Sequence, residues 1–132
     1  MCGIAGTIDL TRDVRDLSGL SARMADTLTR RGPDAGGSYE DSHALLVHRR
    51  LIVVDPAGGG QPMYSPDGNI VLVYNGELYN TEDIRRELCA LGHSFQGHSD
   101  TEVVLHAYLA WGTAAFAKFN GIYAFALWDK AA

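Results

Sequence analysis

The chain has 132 residues, of which 46% are hydrophobic and 20% are charged, and both fractions are typical of one soluble globular domain. Its net charge of −5 and the lack of any basic cluster larger than a pair argue against nucleic acid as a partner. No apolar run approaches the roughly 20 residues of a membrane span. The N-terminus also lacks the basic and apolar regions of a signal peptide. We therefore expect a cytoplasmic domain that binds neither nucleic acid nor a membrane.

The first predicted elements are a short strand and a helix. Residues 3–9 combine isoleucine and alanine with two glycines, which predicts a buried strand whose backbone lets other groups approach residue 2. A helix is predicted from a cap at Ser18 to about Thr29, because leucine and methionine recur there at i+4 spacing. Residues 31–37 are rich in glycine and proline, and we predict a shaped loop.

Two further strands are predicted in the middle of the chain. Residues 44–54 form the most strand-like stretch, an apolar run with an arginine pair inside it. The Gly- and Pro-rich segment 56–62 predicts a loop. The apolar run at residues 69–74 predicts another buried strand, and Asn75-Gly76-Glu77 directly after it is a turn signal.

Two helices are predicted next. Asn80 or Thr81 can cap a helix that ends at Gly92. Ser99 and Glu102 fit the capping box, in which each side chain satisfies an orphan backbone donor near the other, so a second helix is predicted from this point.

The last predicted elements are a helical stretch near residues 114–118 and a strand at residues 121–129. The strand is apolar on both faces, so we expect it to be buried on both sides. Grouped strands with helices between them predict stacked sheets covered by helices, an α+β architecture. Because such a strand needs neighbours and the chain ends three residues later, we expect the sequence to be a fragment of a longer protein.

The cysteines and histidines do not predict a metal site. Cys2 and Cys89 lack metal-type spacing, and two cysteines alone favour reduced thiols. Cys89 is predicted to be a small core residue of its helix. The five histidines form no metal motif, and we expect solvated or hydrogen-bonded imidazoles.

Cys2 is a candidate nucleophile because it directly follows the initiator methionine. Once Met1 is removed, one residue carries both a thiol and an α-amine. An α-amine titrates near pH ~8 and can act as the base at neutral pH, and a nucleophile paired with its own terminal amine is an established form of activation. The position alone is weak evidence, since a small residue often follows methionine.

Other residues could assist a thiol nucleophile. Asn75 and Gly76 could donate a side-chain amide and a backbone N–H to an oxyanion, or form an ordinary turn. Arg50 could clamp a carboxylate, or face solvent on a strand edge. Asp100 could hold an ammonium group, or only complement a helix dipole, and Glu77 could do the former or lie on the surface.

The whole chain resembles the N-terminal glutaminase domain of class II (N-terminal nucleophile) glutamine amidotransferases, and more narrowly that of glutamine-hydrolysing asparagine synthetases. The motifs lie in the family's order along the chain. They are Met1-Cys2-Gly3-Ile4-Ala5-Gly6, Arg31-Gly32-Pro33-Asp34 with Gly37, His48-Arg49-Arg50-Leu51 with Asp55, Gly60-Gln61-Pro62-Met63, Asn75-Gly76-Glu77-Leu78-Tyr79-Asn80, Ser99-Asp100-Thr101-Glu102-Val103, and Phe119-Asn120-Gly121 with Tyr123-Ala124-Phe125-Ala126.

The resemblance implies a four-layer αββα sandwich of two antiparallel sheets, the N-terminal nucleophile hydrolase fold, truncated at its C-terminal end. It implies that residues 1–132 are an incomplete glutaminase domain in which Cys2 attacks the glutamine side-chain amide. A glutamyl thioester then forms, ammonia leaves, and water releases glutamate. Asn75 and Gly76 match the family's oxyanion donors.

The resemblance also implies which residues bind glutamine. Arg50 matches the residue that holds the glutamine carboxylate, and Glu77 and Asp100 match groups near its ammonium. The pocket wall matches a backbone segment made of Leu51, Ile52, Val53 and Val54. Ile52 departs from the family, which usually has a small hydroxyl residue there.

In the whole enzyme, the resemblance implies that ammonia reaches a C-terminal synthetase domain that activates aspartate with ATP. That domain is absent from this chain, so ATP and magnesium are expected only there and no cofactor or metal is expected here. The expected partners are glutamine and the synthetase domain, and a homodimer stays open. Two other functions also stay open: a glutaminase domain serving another acceptor, and a non-catalytic module that binds glutamine or a partner chain.

Overall fold

The structure, a computed structural model, describes residues 2–17, 19–52 and 60–132. Within these residues the strands form two antiparallel sheets, with the orders β1-β3-β2 and β4-β5-β6. The elements are β1 (Gly3–Ile8), α1 (Leu20–Leu28), β2 (Ala35–Glu40), β3 (Ala44–Arg50), β4 (Met63–Tyr64), β5 (Ile70–Leu78), α2 (Thr81–Ala90), α3 (Asp100–Trp111) and β6 (Gly121–Asp129), with 3₁₀ turns at Val14–Asp16 and Gly112–Lys118.

The elements stack in four layers because both sheets are apolar on both faces. Helix α1 covers the outer face of the first sheet, where Leu45 and Val47 of β3 are buried. Leu46, on the opposite face of β3, packs against Val71 and Val73 of β5. The outer face of the second sheet packs against α2 and α3. The predicted αββα arrangement of two antiparallel sheets is therefore observed.

The strand β6 is only half-buried, so the prediction that it is covered on both sides is wrong. Its two faces do alternate as expected: Phe125 packs towards the helices, and Trp128 packs between the sheets. Among the described strands, however, β6 pairs only with β5, and Ile122 remains 70% exposed. The cause is position, since β6 lies at the edge of its sheet.

Asn75, Gly76 and Glu77 do not form the predicted turn. They continue β5 and lie opposite Ala124, Tyr123 and Ile122 of β6. The turn signal is overridden because the long partner strand supplies a ladder of hydrogen bonds through this whole segment. The strand β2 was not predicted from the sequence. It spans residues 35–40, and the first three of these were assigned to a loop that ended at Gly37.

The predicted starts of α2 and α3 are correct in position, but their capping hydrogen bonds differ from those expected. Asn80 is the N-cap of α2, but its side chain instead accepts from the N–H of Asn120 and donates to the carbonyl of Lys118. Ser99 caps α3 by accepting from the N–H of Glu102, whereas the Glu102 carboxylate accepts from residues 96 and 97. Half of the capping box is therefore present.

Two other expectations differ in outcome. Cys89 is exposed, so the prediction of a core residue is wrong: α2 turns Ile84 and Leu88 inward and leaves Cys89 outside. The predicted cap at Ser18 lies outside the described residues, and α1 begins after Gly19.

None of the described helices has the length and apolar character needed to cross a membrane. The described residues also contain no cluster of three or more potential metal ligands.

Candidate active site

The thiol of Cys2 lies against the backbone that follows β3. Cys2 directly precedes β1, and the antiparallel pairing of Gly3 with Arg49 brings it to the end of β3. Its Sγ accepts a hydrogen bond from the N–H of Leu51 at 3.3 Å and lies 3.7 Å from the Leu51 carbonyl oxygen. The side chain is half-buried. The fold therefore holds the candidate nucleophile against a segment 49 residues away in sequence.

The loop before β2 binds the backbone of the candidate nucleophile. The Nε of Arg31 donates to the carbonyl of Cys2 at 3.2 Å. Next to it, a Cβ at Gly32 would lie 2.3 Å from the carbonyl carbon of Arg49, so only glycine allows this close approach. The Nε of Arg49 in turn donates to the Gly32 carbonyl at 2.8 Å. The sequence predicted a loop here but did not indicate that it contacts the backbone of Cys2 and of Arg49.

The same loop also fixes the segment proposed to line the pocket. The N–H of Asp34 donates to the Arg50 carbonyl at 3.0 Å, and its carboxylate accepts from the N–H of Ile52 at 2.8 Å. Leu51 is half-buried between these two points, and Ile52 is 36% exposed. Val53 and Val54, which were also predicted to line the pocket, lie outside the described residues.

Arg50 is a buried arginine and not a solvent-facing one. It ends β3, the central strand of the first sheet, and is only 8% exposed. A buried guanidinium needs charged or hydrogen-bonding partners, because burial of an uncompensated charge is costly. Its position beside Cys2 is compatible with a role in holding a carboxylate.

Strand β5 presents three backbone N–H groups on one side. Residues 70 and 72 face β4, as the hydrogen bond from Ser65 to the Ile70 carbonyl shows, and strand alternation directs residues 74, 76 and 78 to the same side. Because β4 begins at Met63, opposite Leu72, these three residues extend beyond it. We call this side, at residues 74–78, the open side of β5.

Side chains occupy two of the three N–H groups on the open side. Gln61 Oε1 accepts from the N–H of Tyr74 at 2.5 Å, and Asp100 accepts from the N–H of Leu78 at 2.8 Å. Between them, no side chain among the described residues accepts from the N–H of Gly76. Asn75 is half-buried, and its side chain likewise makes no hydrogen bond within the described residues. Both predicted oxyanion donors are thus available.

Asp100 is more than a residue that complements a helix dipole. One of its carboxylate oxygens accepts from the Thr81 hydroxyl at 2.9 Å, and the other accepts from the N–H of Leu78. The Tyr74 hydroxyl lies 3.4 Å from the second oxygen. Burial, and then the charge of Asp100, raise the pKa of Tyr74, so its hydroxyl stays protonated and donates. Asp100 therefore anchors Leu78, the last residue of β5. Glu77, directly before Leu78, is exposed.

His48 joins the two sheets at the base of the open side. The imidazole is 1% exposed, and its Nε2 lies 3.2 Å from the Tyr74 carbonyl oxygen. A carbonyl can only accept, so Nε2 carries the proton. Burial, with a smaller contribution from the charge of Arg50, lowers the pKa of His48 to about 4. The ring is therefore a neutral hydrogen-bond donor at neutral pH.

We expect the free energy of unfolding to fall as the pH decreases from 6.5 towards 4. Below its ordinary pKa of 6.5, His48 gains a proton in the unfolded chain but stays neutral in the fold down to about pH 4. The unfolded state then binds more protons, and the full shift corresponds to about 3 kcal/mol. Urea unfolding across this range measures the slope. His48→Gln should flatten it, and an equally steep slope in that variant would contradict this origin.

The predicted site residues gather at one end of the sheet stack. Cys2 and Arg50 lie at the same end of paired strands β1 and β3, and His48 links that end to the residue before Asn75. Asp100 joins from α3. The sequence did not single out the four side chains that hold these backbones, which are Arg31, Asp34, His48 and Gln61. Their only signal was membership of the motifs quoted for the resemblance.

Comparison with known proteins identifies what the chain is similar to. Residues 1–132 match the sequence family described as "Glutamine amidotransferase domain". The chain is 48% identical over 98% of its length to asparagine synthetase [glutamine-hydrolyzing] 3 of Bacillus subtilis, and 37% identical over 98% of its length to asparagine synthetase B of Escherichia coli. It spans only 22% and 23% of those two proteins.

A solved structure shares the fold. It is a glutamine phosphoribosylpyrophosphate amidotransferase from B. subtilis, which superimposes with a TM-score of 0.55 over 65% of this chain and 21% of that one. Sequence identity is 24%, so the likeness concerns the fold. It supports the predicted sandwich of two antiparallel sheets.

Proposed function

This chain belongs to the family of glutamine amidotransferase domains, and from that premise we propose that it is the glutaminase part of an asparagine synthetase. It hydrolyses glutamine to glutamate and ammonia. The observation that carries the proposal is the Cys2 thiol, held half-buried against Leu51 at the end of the sheet stack where Arg50 and Asn75 also lie.

In the proposed reaction, removal of Met1 exposes the α-amine of Cys2, which takes the thiol proton. The sulfur forms a bond to the amide carbon of the glutamine side chain. When the tetrahedral intermediate collapses, the C–N bond breaks, and the ammonium returns its proton to the departing nitrogen as ammonia leaves. Water then adds to the thioester, the amine takes one of its protons, and collapse releases glutamate and the thiol.

The oxyanion of each tetrahedral intermediate binds to the backbone N–H of Gly76 and the side-chain amide of Asn75. The backbone that carries both donors is held before substrate arrives, because the N–H groups of Tyr74 and Leu78 are bound by Gln61 and Asp100. Prearranged donors stabilise charge that develops in the transition state, and removal of one typically costs about 10²- to 10³-fold in rate.

The α-amino acid end of glutamine is held by opposite charges. Arg50 binds its carboxylate as a bidentate donor, and Glu77 and Asp100 attract its ammonium group. The backbone of Leu51 and Ile52 forms part of the pocket wall beside the sulfur, and the contribution of Val53 and Val54 to this wall stays a prediction. Asp100 combines this task with its hydrogen bonds to β5, so its loss would weaken both substrate binding and the strand end.

We propose that the site at which the ammonia is transferred to its acceptor is not part of these 132 residues. The relatives with the highest identity given above are asparagine synthetases, which favours a partner domain on the same polypeptide that activates aspartate with ATP and magnesium. The shared fold of a phosphoribosylpyrophosphate amidotransferase favours the second candidate, a glutaminase that serves another acceptor. A homodimer and a cytoplasmic location stay predictions.

Intact-mass spectrometry tests the proposal on the complete natural polypeptide that carries this sequence. We expect Met1 to be absent, and a glutamine-like diazo-ketone to add one label to Cys2, because the thiol and pocket are formed. The same sample should release glutamate from glutamine. Glutamine binding without label or turnover would contradict catalysis and indicate a non-catalytic module, while identification of the nitrogen acceptor distinguishes the two enzymes.

A further inference from the structure

Tyr74 is held on the open side of β5 by side chains in place of a neighbouring strand. In a strand, the N–H and C=O of one residue point to the same side. Beyond the end of β4, both groups of Tyr74 would lack partners, which is costly for a buried backbone. Gln61 accepts from its N–H, and His48 donates to its carbonyl. Two side chains thus complete the ladder at this point.

The two side chains come from different parts of the fold. Gln61 also donates to the Thr101 hydroxyl at 3.0 Å, so it links Tyr74 to α3 within its own half of the molecule. His48 instead belongs to β3 in the other sheet, opposite Ile4 of β1. The chain of contacts from Cys2 through β1 and β3 to His48 therefore ends on the residue directly before Asn75.

We propose that His48 is a positioning residue that holds the oxyanion donors of β5 in register with the Cys2 thiol. The inference rests on the proposed function. The imidazole touches neither the nucleophile nor the substrate, and it acts through the Tyr74 carbonyl. Asn75 and Gly76 follow that carbonyl immediately, so a shift of Tyr74 moves both donors. A displacement of about 1 Å in a catalytic group can cost on the order of 100-fold in rate.

The chemistry of the site explains why a histidine suits it. The group must donate one hydrogen bond across an apolar interface between sheets, lined on either side by Leu46 and Val73. A neutral imidazole provides one donor on a flat, compact ring. Leucine has similar bulk and no donor, whereas glutamine retains an amide N–H at comparable reach. These two substitutions separate the hydrogen bond from simple filling of space.

The experiment compares His48→Leu with His48→Gln in the complete natural polypeptide. Backbone ¹⁵N–¹H resonances of Tyr74 and Gly76 report the position of β5 directly, without any need for turnover. Glutaminase kcat and KM are measured on the same samples. His106→Leu, which removes a half-buried imidazole of α3, is the matched control for loss of a histidine.

We expect His48→Leu to shift both resonances and to lower kcat about 10- to 100-fold with a KM within threefold of the wild type. His48→Gln should recover most of both, and His106→Leu should change neither. Unshifted resonances in His48→Leu would overturn the proposal whether or not the protein is active. Shifted resonances with an unchanged kcat would also overturn it. Absent turnover in the wild type would instead count against the proposed function.

Discussion

Replacing Cys2 by alanine is expected to stop the release of glutamate from glutamine while leaving the fold intact. No other described side chain takes the position of the sulfur beside the Leu51 backbone. Loss of a catalytic nucleophile leaves only binding and oxyanion stabilisation, so we expect the rate to fall by about 10⁴-fold or more. The measurement is the initial rate of glutamate formation at saturating glutamine.

The structural cost of this substitution should be small. The half-buried sulfur makes one weak hydrogen bond with the N–H of Leu51 and a longer contact with its carbonyl, so we expect a loss of about 1 kcal/mol in the free energy of unfolding. Urea unfolding checks this value. A large loss of stability would mean that the rate reports a damaged fold and not the missing thiol.

Cys89→Ala is the matched control. Cys89 is the second cysteine of the chain, and it lies exposed on α2, away from the residues gathered around Cys2. Its removal should leave the rate of glutamate release and the diazo-ketone labelling unchanged. If Cys89→Ala lost activity while Cys2→Ala retained it, the assignment of the nucleophile would be wrong.

The strands and helices with strong apolar runs could be predicted from sequence, and β2 could not. Residues 35–40 contain two glycines and few apolar residues, a composition typical of loops. The structure shows why the glycines are compatible with a strand. A Cβ at Gly37 would lie 2.3 Å from the carbonyl oxygen of Gln61, so another part of the backbone approaches here. A pattern within residues 35–40 cannot predict a contact with Gln61, which lies 24 residues later in the sequence.

The site itself was predictable in its reacting groups and not in their supports. Cys2, Arg50, Asn75 and Gly76 belong to short motifs whose chemistry can be argued from residue type. The hydrogen bond of His48 with Tyr74 spans 26 residues, and that of Arg31 with Cys2 spans 29. Such contacts depend on how the two sheets face each other. The spacing of residues along one element carries no information on that arrangement.

The turn predicted at residues 75–77 shows the same limit in another form. Asn-Gly often forms a turn because both residues accept a positive φ. Here the partner strand β6 continues alongside, and the ladder with Ala124 and Tyr123 extends β5. The glycine is still required, because its φ of +157° is one that other residues rarely adopt and because its missing Cβ lets the two strands approach.

Replacing Gly76 by alanine is therefore expected to cause a large loss of stability for a single added methyl group. The new Cβ would lie 2.4 Å from the carbonyl oxygen of Ile122 and 2.5 Å from the Cα of Tyr123. Both are backbone atoms that cannot rotate away, so β5 and β6 must separate locally. Overpacking against fixed atoms costs typically 1–3 kcal/mol, and we expect about 3 kcal/mol or more here. Urea unfolding measures the loss.

Gly60→Ala provides the matched control. No heavy atom of the described residues lies within 4 Å of the position that its Cβ would take, and its φ is not in the left-handed region. The same chemical change should therefore leave stability nearly unchanged, or raise it slightly by restricting the unfolded chain. A similar loss of stability in both variants would mean that the clash at Gly76 is not the cause.

The activity of Gly76→Ala should fall further than its stability explains. Separation of β5 from β6 moves the N–H of residue 76, which lies between the N–H groups held by Gln61 and Asp100. We expect glutaminase kcat to fall at least about 100-fold at a temperature where the variant is still fully folded. The diazo-ketone label on Cys2 measured in parallel reports whether the thiol itself stays accessible. Full kcat in a folded, destabilised variant would remove the Gly76 N–H from the proposed oxyanion site.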